Sequence, residues 1–304
     1  MLGIEMLSKA ANLPAAGILA VALLGVMSPS ATAQTGHTLV NCFEESLGTV
    51  HKTLAGECKG RAVTDEEAAA IHKQRRDYIQ KVLSKPIDSK LRDKRLVGRG
   101  SGFFVAADGS IITSHHVVDG CTTVSITPTF GELKLATAVV SDAQTDLALL
   151  RADIVPPGIA SLVPGDGPAV IGTAFIVGYP DMGLVTIEPI LTAVDVIGRE
   201  NNTARGPAIV IRGDVRRGNS GGPMLDSGGS VIGVVFAKVN TASVHNATGE
   251  VLQDIGLALP GDILEAFLES QGVPFRAAQR RPPQTEDRIL ENVRPFLAQI
   301  GCWQ

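Results

Sequence analysis

Three side chains that together can activate a hydroxyl group occur in separate motifs of this sequence. Ser220 lies in the glycine-rich run GNSGGP, His116 in the run SHHVV, and Asp146 in the run TDLALL. Serine attack on a carbonyl carbon needs a base to take the hydroxyl proton, a carboxylate to orient that base, and two N–H groups facing the developing oxyanion. Glycines beside the serine let the backbone turn tightly. These residue types point to acyl transfer through a serine nucleophile.

The order of these residues along the chain separates two architectures that share a Gly-x-Ser-x-Gly loop. In the α/β-hydrolases, the acid and the histidine follow the nucleophilic serine. Here only His245 follows Ser220, whereas the order His116, Asp146, Ser220 is the chymotrypsin order. Each residue alone is explained equally well as a buried histidine, a strand-capping aspartate or a turn serine. Their order and context favour the joint interpretation.

The elements that must position these residues are short β-strands. From Leu96 onward, short apolar runs alternate with turn residues, and Asp108-Gly109 between two such runs predicts a tight hairpin. Regularly spaced strands without crossover helices are typical of a sandwich or a barrel. Pro260–Ser270 then predicts a helix that ends before Gly272. The central part of the chain is therefore expected to be mainly β.

Two further segments have helical patterns. Residues 34–90 predict a polar helical extension, in which Thr64 and Glu67 form a capping box and Ile71 begins an apolar stripe. We expect this stripe to pack on the main domain. Residues 273–304 predict a short helical tail, with a helix that begins at Thr285.

Five motifs in this order resemble those of bacterial trypsin-like serine proteases of the HtrA/DegP kind. They are GSGF from Gly100, HVV from His116, DLALL from Asp146, GNSGGP around Ser220 and GLALP from Gly256. The resemblance covers roughly residues 96–270. It implies a chymotrypsin-like double β-barrel with the active site between the barrels, and a serine endopeptidase that cleaves protein or peptide substrates through an acyl-enzyme.

The resemblance also assigns roles to single residues. It makes His116 the general base, Asp146 the acid that orients it, and Ser220 the nucleophile. The amides of Gly218 and Ser220 match the oxyanion hole. The expected organisation is then a signal peptide (1–33), a helical extension (34–90), a trypsin-like protease domain (91–272) and a tail (273–304).

Two of the points at which the sequence departs from related proteases bear on regulation and activation. The tail after Gly272 is too short for a PDZ domain, so regulation through such a module is not expected. Asn219 stands where animal trypsins carry an acid that pairs with a freshly cut N-terminus, and an asparagine cannot form that ion pair.

Substrate preference depends on residues near the serine. Asp214, six positions before Ser220, matches the floor of the primary specificity pocket in trypsin-like proteases, where it would attract Lys or Arg. The alternative is that Asp214 pairs with a neighbouring arginine or turns away from the pocket. Phe236, Ala237 and Lys238 are expected to line the pocket wall and to pair with the substrate backbone. Primary specificity, basic or small aliphatic, stays open.

The beginning of the chain predicts export. Lys9, an apolar run from Ala15 to Met27 and the sequence Ala31-Thr32-Ala33 are typical of a signal peptide with its cleavage site. The apolar run is short for a membrane span, so no stable span is expected after cleavage, although a retained anchor is the alternative. We expect a periplasmic or secreted protein.

The cysteines agree with an oxidising compartment. All four (Cys42, Cys58, Cys121 and Cys302) follow the predicted cleavage site, and an even number in an exported chain suggests two disulfides in one of three connectivities. Free buried thiols are the alternative. The cysteine and histidine spacings match no metal site, so no metal or cofactor is expected.

Charge and motif content separate the remaining function classes. The net charge of -4 and the absence of a Lys/Arg block argue against nucleic acid as a partner. A noncatalytic binding module on a protease scaffold is one rival interpretation, which the intact set of Ser220, His116 and Asp146 disfavours. An esterase is the other, which the chain order disfavours.

Overall fold

The computed structural model describes residues 38–44, 49–58, 60–83, 88–165, 172–181, 188–203, 205–238, 254–279 and 281–304. The predicted signal peptide, residues 1–33, lies outside the described residues. Across the described ranges, no helix is both long and apolar enough to cross a membrane.

The segment before the main domain is a small α/β module. Its elements are β1 (Leu39–Glu44), β2 (Thr49–Leu54), β3 (Arg61–Val63) and α1 (Asp65–Leu83). The three strands form an antiparallel sheet in the order β2-β1-β3. The expectation of a helical extension is therefore correct only for α1, because the chain before it is strand.

Local chemistry explains how α1 begins and packs. Thr64 and Glu67 form the predicted capping box, with each backbone N–H donating to the other side chain at 3.1 Å. The hydrogen bond from the Thr64 backbone is the main reason why the pKa of Glu67 lies below its usual value. Ile71 packs with Val50 and Val63 in a small apolar core within this module, rather than on the main domain as expected.

The described residues of the main domain form two large sheets. The first has seven strands in the order β7-β6-β18-β4-β5-β9-β8. Its members are β4 (Leu96–Phe104), β5 (Ser110–Ser114), β6 (Thr123–Pro128), β7 (Lys134–Leu135), β8 (Ala138–Asp142), β9 (Leu147–Arg151) and β18 (Leu297–Trp303). The predicted Asp108-Gly109 hairpin is confirmed, since β4 and β5 pair as antiparallel neighbours and Gly109 has a φ of 83°.

The second sheet closes on itself. Its strands are β10 (Ser161–Leu162), β11 (Gly172–Gly178), β12 (Ile190–Thr203), β13 (Gly206–Arg212), β14 (Pro223–Leu225), β15 (Val231–Lys238), β16 (Ile255–Pro260) and β17 (Arg276–Ala277). Strands β14, β11, β12, β13, β16 and β15 pair in sequence, and β14 also pairs with β15, which completes a ring. The chymotrypsin-like double-barrel architecture is confirmed, with the inner face of this barrel filled by aliphatic side chains such as Ile176, Ile211 and Met224.

In the part of the chain that the structure describes, three helices accompany the sheets: α2 (His115–Val118), α3 (Gly261–Ser270) and α4 (Glu286–Val293). The predicted helix before Gly272 is confirmed as α3, and Gly272 follows it with a φ of 64°. The tail, expected to be helical, contains α4 but ends in the strand β18. This strand inserts between β4 and β6, so the end of the chain is part of the first sheet.

Candidate active site

The glycine-rich segment around Ser220 is a tight turn between β13 and β14. Gly218 and Gly221 have φ angles of 91° and 82°, in the left-handed region that favours glycine. A Cβ atom on Gly221 would clash with the carbonyl of Ser101 and the hydroxyl of Thr113. The carbonyl of Ser220 accepts a hydrogen bond from the Ser101 N–H at 2.8 Å, so this turn is fastened to β4 of the other sheet.

The peptide groups around Gly218 have a defined orientation. The Arg217 carbonyl accepts from the N–H of Asp181 at 2.6 Å, and the Asn219 carbonyl accepts from the N–H of Gly222 at 2.9 Å. Because a trans peptide points its N–H opposite to its carbonyl, the N–H groups of Gly218 and Ser220 face away from these partners. Among the described residues, neither N–H donates to a protein acceptor. Both are available to an oxygen outside the chain.

Strand pairing brings His116 to Asp146. Strand β5 leads into α2, Asp146 directly precedes β9, and the pair Ser114↔Leu147 joins the two strands at this end. The Nδ1 atom of the His116 ring lies 2.8 Å from one Asp146 carboxylate oxygen. The other carboxylate oxygen accepts a hydrogen bond from the backbone N–H of His116 at 3.0 Å. The bond to Nδ1 orients the ring, and the bond from the backbone N–H holds the carboxylate in place beside it.

Asp146 is held in an unusual environment for a carboxylate. Its side chain has no exposed surface, and its φ of 59° lies in the left-handed region, which aspartate tolerates better than most residues. The Asp146 carbonyl also accepts from the His115 N–H at 2.9 Å. The neighbouring His115 differs from His116, because its Nδ1 atom is buried with no hydrogen-bond partner in the described part of the chain.

The Ser220 turn and α2 meet at one glycine. A Cβ atom on Gly100 would lie 2.6 Å from a methyl carbon of Val117 and 3.0 Å from the Ser220 carbonyl. Val117 follows His116 directly, so the histidine and the serine flank the same point of β4. The structure thus gathers the three residues singled out in the sequence at the junction between the two sheets.

Residues 100–234 match the family model of the trypsin-like peptidase domain. The chain is therefore similar to trypsin-like peptidase domains over this stretch. The match begins in β4 and ends in β15, and it includes His116, Asp146 and Ser220.

Similar proteins include bacterial serine proteases. The chain is 31% identical over 202 residues to the putative serine protease HhoA of Synechocystis sp., which covers 62% of this chain and 47% of the relative. It is 32% identical over 208 residues to the uncharacterized protein y4bJ of Sinorhizobium fredii, covering 67% of this chain and 32% of that protein. The chain thus spans about a third to half of the length of these relatives.

A similar solved structure is that of the HtrA-type protease AlgW with decapeptide. The two chains are 24% identical, the TM-score is 0.48, and the likeness covers 56% of this chain and 50% of that one.

Asp214, the predicted floor of the specificity pocket, has a local partner. One Asp214 carboxylate oxygen accepts from the Arg216 Nε at 2.7 Å, and half of the Asp214 side chain is exposed. Val215, by contrast, is buried and lies against Gly256, where a Cβ atom would be 2.6 Å from a Val215 methyl carbon. The assignment of Asp214 to the pocket floor stays a prediction, and the ion pair favours the alternative of pairing with an arginine.

Strand β15 carries the other predicted substrate residues and is bonded to the Ser220 turn. The Val235 carbonyl accepts from the Gly221 N–H at 2.7 Å. Phe236 is buried at a break in the register, because Val235 pairs with Ala258 and Ala237 pairs with the preceding residue Leu257. Ala237 and Lys238 continue the strand beside β16. The roles of Phe236, Ala237 and Lys238 in substrate binding stay predictions.

Arg205 belongs to this site but was not found by sequence reasoning. It follows β12, its guanidinium forms an ion pair with the Asp146 carboxylate, and the guanidinium carbon lies 5.6 Å from the centre of the Phe236 ring. One side chain thus places a positive charge at the Asp146 carboxylate and contacts the ring of Phe236 on β15. A lone arginine in a turn carries no sequence signal for such a role.

Both disulfides are present, and their connectivity is now defined. Cys42 pairs with Cys58 inside the N-terminal module, and Cys121 pairs with Cys302. The second bridge joins the segment after α2 to β18, so it links the neighbourhood of His116 to the end of the chain.

Proposed function

We propose that the protein is a serine endopeptidase of the trypsin type. The observation that carries the proposal is the Asp146 carboxylate, which bonds both the backbone and the ring of His116 beside a serine turn with two available N–H groups. The name of HhoA as a putative serine protease supports the same reaction class.

Each residue has a distinct task in the proposed reaction. The Ser220 hydroxyl attacks the carbonyl carbon of the scissile bond while His116 takes its proton. Asp146 holds the required tautomer of the ring and stabilises the imidazolium that forms. The N–H groups of Gly218 and Ser220 donate to the oxyanion. His116 then gives the proton to the leaving amine, and water hydrolyses the acyl-enzyme in a second cycle of the same steps.

Labelling with a fluorophosphonate tests the nucleophile. We expect the probe to label the protein at Ser220 and the Ser220→Ala variant to stay unlabelled. His116→Ala should lower kcat/KM by several orders of magnitude, roughly 10³-fold or more, whereas His115→Ala serves as the matched control with a mild effect. Labelling that survives Ser220→Ala refutes the assignment, and a greater loss in the His115 variant refutes the choice of base.

We further propose that the primary pocket takes small aliphatic side chains. Arg216 neutralises Asp214 locally, and the buried Val215 supplies apolar surface on the same segment. A peptide-library cleavage profile tests this, with Asp214→Asn compared with Asp108→Asn, a control in the β4–β5 hairpin. A preference for Lys or Arg that disappears only in Asp214→Asn overturns the proposal.

The compartment is proposed to be the periplasm or the exterior of the cell. Two disulfides and the predicted signal peptide support this assignment. Fractionation of expressing cells, followed by N-terminal sequencing of the processed protein, tests it. Recovery of reduced, unprocessed protein from the cytoplasm alone contradicts it.

A further inference from the structure

Ser101 lies at the contact between β4 and the Ser220 turn and is fully buried. All of its polar groups are bonded. Its N–H donates to the Ser220 carbonyl at 2.8 Å, and its carbonyl accepts from the Thr113 hydroxyl at 2.6 Å. Its own hydroxyl accepts from the Tyr179 N–H at 2.8 Å and donates to the Gly218 carbonyl at 2.6 Å.

The direction of the Ser101 hydroxyl proton follows from these contacts. A hydroxyl has one proton and two acceptor lone pairs, and the Tyr179 N–H can only donate. The proton must therefore go to the other close partner, the Gly218 carbonyl. Because the Tyr179 N–H can only donate and the Gly218 carbonyl can only accept, this short buried bond has a single direction.

The bond to Gly218 controls the peptide groups next to the nucleophile. Gly218 carries no Cβ atom, so its own torsions resist rotation less than those of other residues. The Arg217 carbonyl on its N-terminal side is held by Asp181, two residues after Tyr179. The carbonyl on its C-terminal side is held by Ser101. Rotation of the Arg217–Gly218 peptide would point a carbonyl instead of the Gly218 N–H towards the developing oxyanion. The Gly218–Asn219 peptide, whose carbonyl Ser101 holds, lies between the two peptides that carry the Gly218 and Ser220 N–H groups, so its rotation would disturb the orientation of both.

We propose that Ser101 is a positioning residue that keeps the Gly218 backbone in the orientation that binds the oxyanion. The proposal rests on the proposed peptidase function. Without the hydroxyl, the Tyr179 N–H loses its partner in a buried site and the Gly218 carbonyl is free to turn. The effect falls on the transition state, in which the oxyanion forms, more than on the bound substrate.

The test compares Ser101→Ala with Thr113→Val. Both remove one buried hydroxyl from the same bonded network, but the Thr113 hydroxyl bonds the Ser101 carbonyl and does not contact Gly218. We expect Ser101→Ala to lower kcat by roughly 10- to 100-fold with KM changed less than about twofold. Affinity for a peptide boronate should fall by the same factor as kcat/KM. Thr113→Val should leave kcat and boronate affinity within about twofold.

Further measurements distinguish a variant that does not fold from a folded variant that lacks the expected effect. Urea unfolding of both variants tests whether they fold. If Ser101→Ala does not fold, Ser101→Cys replaces it, because cysteine has a similar shape and a weaker hydrogen-bonding group. Equal losses of kcat in the Ser101 and Thr113 variants, or unchanged kcat in a folded Ser101 variant, overturn the proposal.

The orientation of the Gly218 backbone can also be followed by a measurement that does not depend on catalytic activity. The amide resonance of Gly218 in an NMR spectrum should move in Ser101→Ala and not in Thr113→Val, and an unmoved resonance overturns the positioning role. If the wild-type protein neither cleaves peptides nor is labelled at Ser220, the proposed peptidase function is refuted. The Gly218 resonance in the Ser101→Ala and Thr113→Val variants would still test whether Ser101 positions Gly218.

Discussion

Removal of the Cys121–Cys302 bridge is expected to destabilise the main domain strongly. A disulfide lowers the chain entropy of the unfolded state by an amount that grows with the logarithm of the loop it closes. This bridge has a sequence separation of 181 residues, against 16 for Cys42–Cys58. The loop-closure relation converts these separations to about 5 and about 3 kcal/mol.

The position of the long bridge adds a local effect. Cys302 is buried in β18, which pairs with β4 on one side and β6 on the other. Cys121 follows α2 by three residues and therefore restrains the segment that carries His116. Loss of the bridge should lower activity at urea concentrations that leave the global fold intact.

Urea unfolding monitored by tryptophan fluorescence is the assay. The sequence contains one tryptophan, Trp303, whose indole N–H donates to the Ser125 hydroxyl at 2.8 Å beside Cys302. The double variant Cys121→Ala/Cys302→Ala should lose about 4–5 kcal/mol. The control Cys42→Ala/Cys58→Ala should leave this transition unchanged, because its bridge lies inside the N-terminal module. Equal shifts in both variants, or a loss below about 1 kcal/mol in the first, refute the reasoning.

Three further predictions follow from single contacts. Arg205→Met removes the ion pair with Asp146 and should lower kcat/KM by roughly two- to tenfold, because the Arg205 side chain is partly exposed to solvent; an unchanged kcat/KM contradicts this. The hydrogen bond from the Gln144 N–H is the main cause that lowers the pKa of Asp142 from its usual 3.8, so its stabilising effect should be complete above that pH and be lost as pH falls below it. Urea titrations of wild type and Asp142→Ala should therefore converge in acid, and a constant difference refutes the assignment. Gly221→Ala should cost more than about 3 kcal/mol or prevent folding, which urea midpoints will show, because a Cβ atom there meets β4 and β5.

Local patterns were sufficient for much of the fold. The β4–β5 hairpin, α3 and the capping box of α1 depend on residues close together in the chain, and each was correctly predicted. The motifs around His116, Asp146 and Ser220 could be recognised for a similar reason, since the residue types themselves indicate the chemistry. The structure adds that strand pairing joins His116 to Asp146.

The N-terminal strands escaped prediction because their sequences lack a clear apolar alternation. Strand β2 reads Thr-Val-His-Lys-Thr-Leu, with Val50 as its buried residue. The small module is stabilised in part by Cys42–Cys58, so it needs fewer apolar residues than a larger sheet.

The sequence alone determined the order of the chemical groups, the β character of the central domain and the helices with clear start and stop signals. Only the tertiary structure decided that the tail supplies β18, because a mostly apolar run of seven residues is ambiguous between helix and strand until its partners β4 and β6 are known. It also decided the contacts of Ser101 with Gly218 and of Arg205 with Asp146. These contacts join residues far apart in the chain, and a buried hydrogen bond or ion pair leaves no pattern in the neighbouring sequence.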